Sequence, residues 1–142
     1  MKPSLNSPWT SHACVQRLLE EYKKYGKLIV AFDFDNTIFD YYNRGLDCKD
    51  IIDLLAECSR KGFTMILFTC EEDDERLKWK KEYCNHYGIR VDYVNESPIY
   101  NTKKPYFNIL LDDRAGLEEA MDTLNSVIQI IDKNECNKSD QT

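Results

Sequence analysis

The sequence predicts an α/β domain built on a parallel sheet, and three observations carry that expectation. Short apolar runs alternate with longer stretches of helical periodicity. The runs are continuously apolar rather than polar at every second residue, as strands buried on both faces are. The intervals between them are long enough to hold crossover helices, which are right-handed in parallel sheets. At 142 residues the chain has room for one domain with an ordinary core.

The elements follow in order. Cys14, Val15, Leu18, Leu19 and Tyr22 recur at helical spacing, so a helix is expected over about 13–26, with Gly26 as its stop. Leu28–Phe32 is the first buried strand. Asp47–Lys61 places Ile51, Ile52, Leu54, Leu55 and Cys58 on one face of a helix. Its end, Arg60-Lys61-Gly62, sets cations in the last turn before a glycine that can adopt a left-handed conformation. Met65–Phe68 is the next strand and Asp74–Tyr87 the next helix, closed by Gly88. A short strand is expected at Val91–Val94, another at Phe107–Leu111, a helix at Gly116–Leu124 and a last strand at Val127–Ile131. The domain thus spans residues 1–132, its core residues 28–131, and the polar stretch Lys133–Thr142 is expected to fray.

Composition removes several classes of function. Nineteen basic against 25 acidic side chains leave a formal charge of −6. That balance argues against nucleic acid as a partner, since phosphate backbones demand clustered positive charge. It argues equally against a polybasic membrane anchor, and no apolar stretch nears the ~20 residues of a membrane span. The six cysteines, Cys14, Cys48, Cys58, Cys70, Cys84 and Cys136, form no C-x-x-C pair and no zinc-like spacing. Several fall on apolar helix faces, where a thiol behaves as a small hydrophobe. With a polar start at Met1–Ser11, the chain reads as reduced and cytoplasmic.

The chemistry gathers after the strands. Asp33-Phe34-Asp35-Asn36-Thr37 follows the first one, at the sheet edge where open α/β folds carry their functional groups. Two carboxylates at i and i+2 repel unless a cation or proton sits between them, and Mg²⁺ is a hard cation that suits oxygen donors. Taken alone, such a pair could equally cap a helix. The second strand ends in Thr69, the lysines Lys103 and Lys104 precede the Phe107 strand, and that strand ends in Asp112-Asp113.

Together these residues resemble the haloacid dehalogenase-like (HAD) phosphohydrolase superfamily. An apolar strand followed by D-x-D-x-T matches Ile29–Thr37, and an apolar strand followed by threonine matches Met65–Thr69. A lysine and an apolar strand ending in an acidic pair match Lys104 and Ile109–Asp113. Response-regulator receivers carry similar residues, but there the lysine follows the last acid, whereas here it precedes Asp112-Asp113. Asn95-Glu96-Ser97-Pro98 and Asp112-Asp113-Arg114-Ala115 extend the likeness to a capless bacterial and phage-type subgroup.

The resemblance implies a three-layer Rossmann-like parallel sheet and an Mg²⁺-dependent phosphomonoester hydrolase. Asp33 would be the nucleophile that forms an aspartyl-phosphate and Asp35 the general acid and base. Thr69 and Lys104 would hold the phosphoryl oxygens, with Lys103 as the alternative lysine. Mg²⁺ would be held by Asp33, the Asp35 carbonyl, Asp112 and Asp113. A phosphotransferase, or a catalytically weak Mg²⁺- or phospholigand-binding regulatory module, could use the same residues. In place of the arginine and glycine common after the threonine in that subgroup stands Cys70-Glu71-Glu72-Asp73-Asp74, an acidic run that would repel an anion unless it turns into the next helix.

The spans Thr37–Met65 and Thr69–Lys103 leave no room for a cap domain. An open site suits a phosphoprotein or a phosphorylated sugar or nucleotide, or closure by a second copy of the chain. The aromatic trio Phe39, Tyr41 and Tyr42 has two readings, as core packing or as a flap on which a ring-shaped substrate stacks.

Overall fold

A computed structural model describes residues 7–139 of the chain. Helix α1 (Ser11–Tyr25) opens at Thr10, whose hydroxyl accepts a hydrogen bond from the Ala13 amide, and closes at Gly26, where φ is 75°. There the Gly26 amide donates to the Tyr22 carbonyl, the left-handed terminus that glycine adopts without a Cβ clash. Strand β1 (Ile29–Asp33) follows, then α2 (Lys49–Arg60), β2 (Thr64–Phe68), α3 (Asp74–His86), β3 (Tyr93–Val94), β4 (Ile109–Leu111) and α4 (Leu117–Ser139).

The four strands form one parallel sheet in the order β3-β2-β1-β4. Ile29 to Asp33 pair in register with Thr64 to Phe68, and Val30 to Phe32 pair with Ile109 to Leu111. The parallel α/β fold expected from the alternation of apolar runs and helical periods is the fold observed. All carboxyl ends lie on one edge, so the segments after Asp33, Phe68 and Leu111 emerge side by side.

Alternation along the strands separates two apolar clusters. Val30, Phe32, Met65, Leu67 and Leu111 share the larger one with Leu18 of α1, Leu55 of α2, Cys84 of α3 and Val127 of α4. On the opposite face Ile29, Ala31 and Ile66 meet Phe68, Tyr106, Phe107 and Leu110. The third layer is therefore thin, with Tyr106 and Phe107 coming from the segment between β3 and β4. Asn108 anchors that segment: its amide donates to the Ile29 carbonyl at 2.8 Å and its side-chain oxygen accepts from the Ile29 amide at 2.6 Å.

The expected last strand at Val127–Ile131 is instead the middle of α4. Leu124, Val127, Ile128 and Ile131 are its buried residues, spaced by three, one and three, which is a helical stripe. Valine and isoleucine favour strands locally, but burying that stripe beside α1 and α2 outweighs a preference worth tenths of a kcal/mol per residue. Lys133–Ser139, where fraying is expected, continues α4 as exposed helix; residues 140–142 and 1–6 lie outside the described residues.

All six cysteines are free. Burial pushes the thiols of Cys58 and Cys84 up to about 12, so both stay protonated and pack as apolar groups. Among the described residues no helix is long and apolar enough to cross a membrane.

Candidate active site at the carboxyl edge of the sheet

The segment after β1 turns sharply. Asn36 has a φ of 60°, and its amide donates to the Phe39 carbonyl at 2.7 Å, while the amides of Thr37, Ile38 and Phe39 converge on the Phe34 carbonyl. This turn points Thr37 inward, where it is 2% exposed. The Thr37 hydroxyl donates to Asp33 Oδ2 at 3.1 Å and accepts from the Asp113 amide, also at 3.1 Å. One hydroxyl thus ties the end of β1 to the end of β4.

Asp33, Asp112 and Asp113 present carboxylate oxygens that all lie within 4.8 Å of one another. Burial first, then the charges of Asp112 and Asp113, push the Asp33 carboxyl up to about 6, against a hydrogen bond from Thr37 that lowers it. Three carboxyl groups held this close are a strained arrangement for the metal-free chain, and a divalent cation would relieve it. The donor set is all oxygen, which fits Mg²⁺ rather than a softer, thiolate-seeking metal. Asp35 does not join this group through its side chain. Its carboxylate faces Lys80, with Nζ–Oδ2 at 3.4 Å.

Lys80 is the residue that sequence reasoning missed. It lies on α3 and is 2% exposed. Its Nζ donates to the Thr69 hydroxyl at 3.0 Å, lies 3.7 Å from Glu71 Oε2 and sits 5.1 Å from the centre of the Phe34 ring. The expected site lysine, Lys104, does not reach this set, and neither does the alternative, Lys103. Both are exposed in the segment between β3 and β4, where the Lys104 carbonyl accepts from the Thr102 hydroxyl, and neither lines the cavity. A signal for Lys80 was present: it falls three residues after Leu77 and four before Cys84, on the apolar stripe of α3. A lysine at such a position is buried only when it has partners.

Thr69 is held by Asn95. The side-chain oxygen of Asn95 accepts from the Thr69 amide at 3.0 Å and its side-chain nitrogen donates to the Thr69 carbonyl at 2.8 Å. Asn95 itself adopts a φ of 54° just past β3. The acidic run after Thr69 mostly turns away, as a helix start would require. Asp73 caps α3 by accepting from the amides of Glu75 and Arg76, and Asp74 lies in the first turn, where the helix dipole favours a negative charge. Glu71 is the exception. It faces Lys80 and accepts from Arg76 Nε at 3.3 Å.

Asp33, Asp35, Thr69, Cys70, Asp112 and Asp113 together line a hollow of about 280 Å³, which Tyr41, Tyr42, Asn36 and Arg114 complete. The expected Asp33, Asp35, Thr69, Asp112 and Asp113 therefore meet in one place. Between β1 and β4 the described elements are α2, β2, α3 and β3; the two strands join the sheet, and the two helices contribute to the main core.

No family model matches the chain. One curated protein, the microcin J25-processing protein McjC of Escherichia coli, is 35% identical over 68 residues, which are 48% of this chain and 13% of that protein. Among solved structures, a conserved protein from Bacteroides thetaiotaomicron superposes with a TM-score of 0.52 at 22% identity, over 63% of this chain and 78% of that one. That superposition shows the parallel α/β fold described above and does not extend to an activity.

Proposed function

We propose that this chain is an Mg²⁺-dependent phosphomonoester hydrolase of the haloacid dehalogenase-like kind. The observation that carries the reading is the convergence on one hollow of the carboxyl trio Asp33, Asp112 and Asp113 with Asp35 and Thr69, which Lys80 links from behind the hollow's wall. A phosphate monoester presents both a leaving oxygen that needs a proton and peripheral oxygens that need positive charge.

Asp33 attacks phosphorus through a carboxylate oxygen, and the bond from phosphorus to the ester oxygen breaks. Asp35 gives its proton to that departing oxygen. In the second half, Asp35 takes a proton from water as the water oxygen attacks phosphorus, and the bond to Asp33 breaks to release phosphate. Thr69 holds the peripheral oxygens, and the Lys80 charge behind it offsets theirs throughout, which is electrostatic positioning rather than covalent work. The carboxylates of Asp33, Asp112 and Asp113 would hold Mg²⁺, which supplies charge neutralisation for the anionic nucleophile and phosphoryl group.

The test is p-nitrophenyl phosphate turnover by the wild type and Asp33→Asn, each with Mg²⁺ and with EDTA. Turnover is expected only in the wild type with Mg²⁺. Equal turnover in EDTA, or by Asp33→Asn, overturns the mechanism.

A further inference from the structure

The geometry points to a planar aromatic leaving group on the phosphate ester, seated on Tyr41 and Trp79 at the rim of the catalytic hollow. This rests on the phosphomonoester-hydrolase reading and names its substrate class.

Tyr41 lines three depressions, of which two bear on the substrate. One is the catalytic hollow with Asp33 and Asp35; the other, about 480 Å³, is walled by Phe39, Tyr41, Trp79, Glu75 and Arg76. With its phosphate at Asp33, a substrate's leaving group would meet the second depression across Tyr41.

The second depression is paved with rings that stay accessible. Tyr41 is 51% and Trp79 42% exposed. Trp79 is fixed from below, with ring centroids 5.2 Å from Phe39, 5.7 Å from Phe34 and 5.7 Å from Tyr83, the first two edge-on. The chain itself sets its distance from the chemistry, since Phe34 follows Asp33 and Trp79 precedes Lys80. Of the aromatic trio, Phe39 joins the main core, whereas Tyr41 and Tyr42 remain at the surface. Tyr42 is engaged by the Arg44 guanidinium, 4.5 Å from its ring centre, leaving Tyr41 as the ring shared by both depressions. Rigid exposed rings reward a flat π surface more than a flexible alkyl chain, because stacking adds to area burial and little side-chain freedom is lost.

The experiment compares kcat/KM for benzyl phosphate, n-butyl phosphate and glucose 6-phosphate with Mg²⁺, all esters of primary alcohols with similar intrinsic reactivity. The wild type is expected to favour benzyl phosphate over each of the others by at least about tenfold, ~1.4 kcal/mol. That ratio is expected to fall below about threefold in Tyr41→Ser and in Trp79→Leu, with circular dichroism confirming that both variants fold. Comparable kcat/KM for the three esters in the wild type, or an unchanged ratio in both variants, overturns the aromatic subsite and leaves the hydrolase reading standing. Absence of turnover for all three overturns that reading, and the subsite with it.

Discussion

Lys80 Nζ donates to the Thr69 hydroxyl at 3.0 Å, from a side chain buried on α3 to one at the open end of β2. The same nitrogen lies 3.4 Å from Asp35 Oδ2, so a single cation links the residue expected to handle protons with the residue expected to grip phosphate. A buried lysine costs several kcal/mol unless it is paired, and here Asp35 and Thr69 of the site, with Glu71 beside α3, supply the pairing.

Replacing Lys80 by methionine preserves its length and apolar contacts but removes the charge. We expect kcat/KM for p-nitrophenyl phosphate to drop by about a hundredfold or more, in line with loss of the positive charge that Asp35 and Thr69 share on the proposed mechanism. Lys104→Ala is expected to stay within about twofold of the wild type. The reverse ordering would return the phosphate contact to Lys104.

The raised Asp33 carboxyl gives the metal-free chain a pH-dependent contribution to stability. That carboxyl is raised to about 6 in the fold from an ordinary value of 3.8, so the fold favours the protonated form. That favourable contribution is complete below about 4 and is lost as pH rises through about 6. In EDTA, Asp33→Asn is therefore expected to melt a few degrees above the wild type at pH 7.5, with the gap closing between pH 6 and 4. A pH-independent difference in melting temperature would contradict the raised carboxyl.

Thr37 joins two strand ends through one hydroxyl. Thr37→Val keeps the shape but strands the Asp113 amide and removes a donor from Asp33. A loss of about 1–3 kcal/mol in stability is expected by urea denaturation, with Thr37→Ser recovering most of it. Thr37→Val and Thr37→Ser of equal stability would show that the hydroxyl does not tie the strands.

Gln129 faces solvent in the middle of α4. Gln129→Pro removes a helical hydrogen bond and crowds the preceding turn, at a cost of about 3 kcal/mol or more. An exposed edge strand over the same residues would tolerate that proline far better. A melting temperature within a degree or two of the wild type would restore the strand.

The sequence by itself determined the parallel α/β fold and the residues at its carboxyl edge. Apolar runs such as Ile29–Phe32 and Met65–Leu67, separated by helical periods, favour strands buried on both faces of a parallel sheet, and parallel strands deliver Asp33, Thr69 and Asp112 to one edge whatever the details of packing. Two decisions needed tertiary structure. Val127–Ile131 carries strand-forming residues at helical spacing, and the spacing prevailed because the stripe is buried in the main core. The choice of Lys80 over Lys104 depended on which lysine the third dimension brings to Thr69. Lys104 is close to Asp112 along the chain yet lies in an exposed segment, whereas Lys80 is carried inward because its neighbours Leu77 and Cys84 are drawn into the core. Proximity along the chain is local information, and burial is a property of the whole fold.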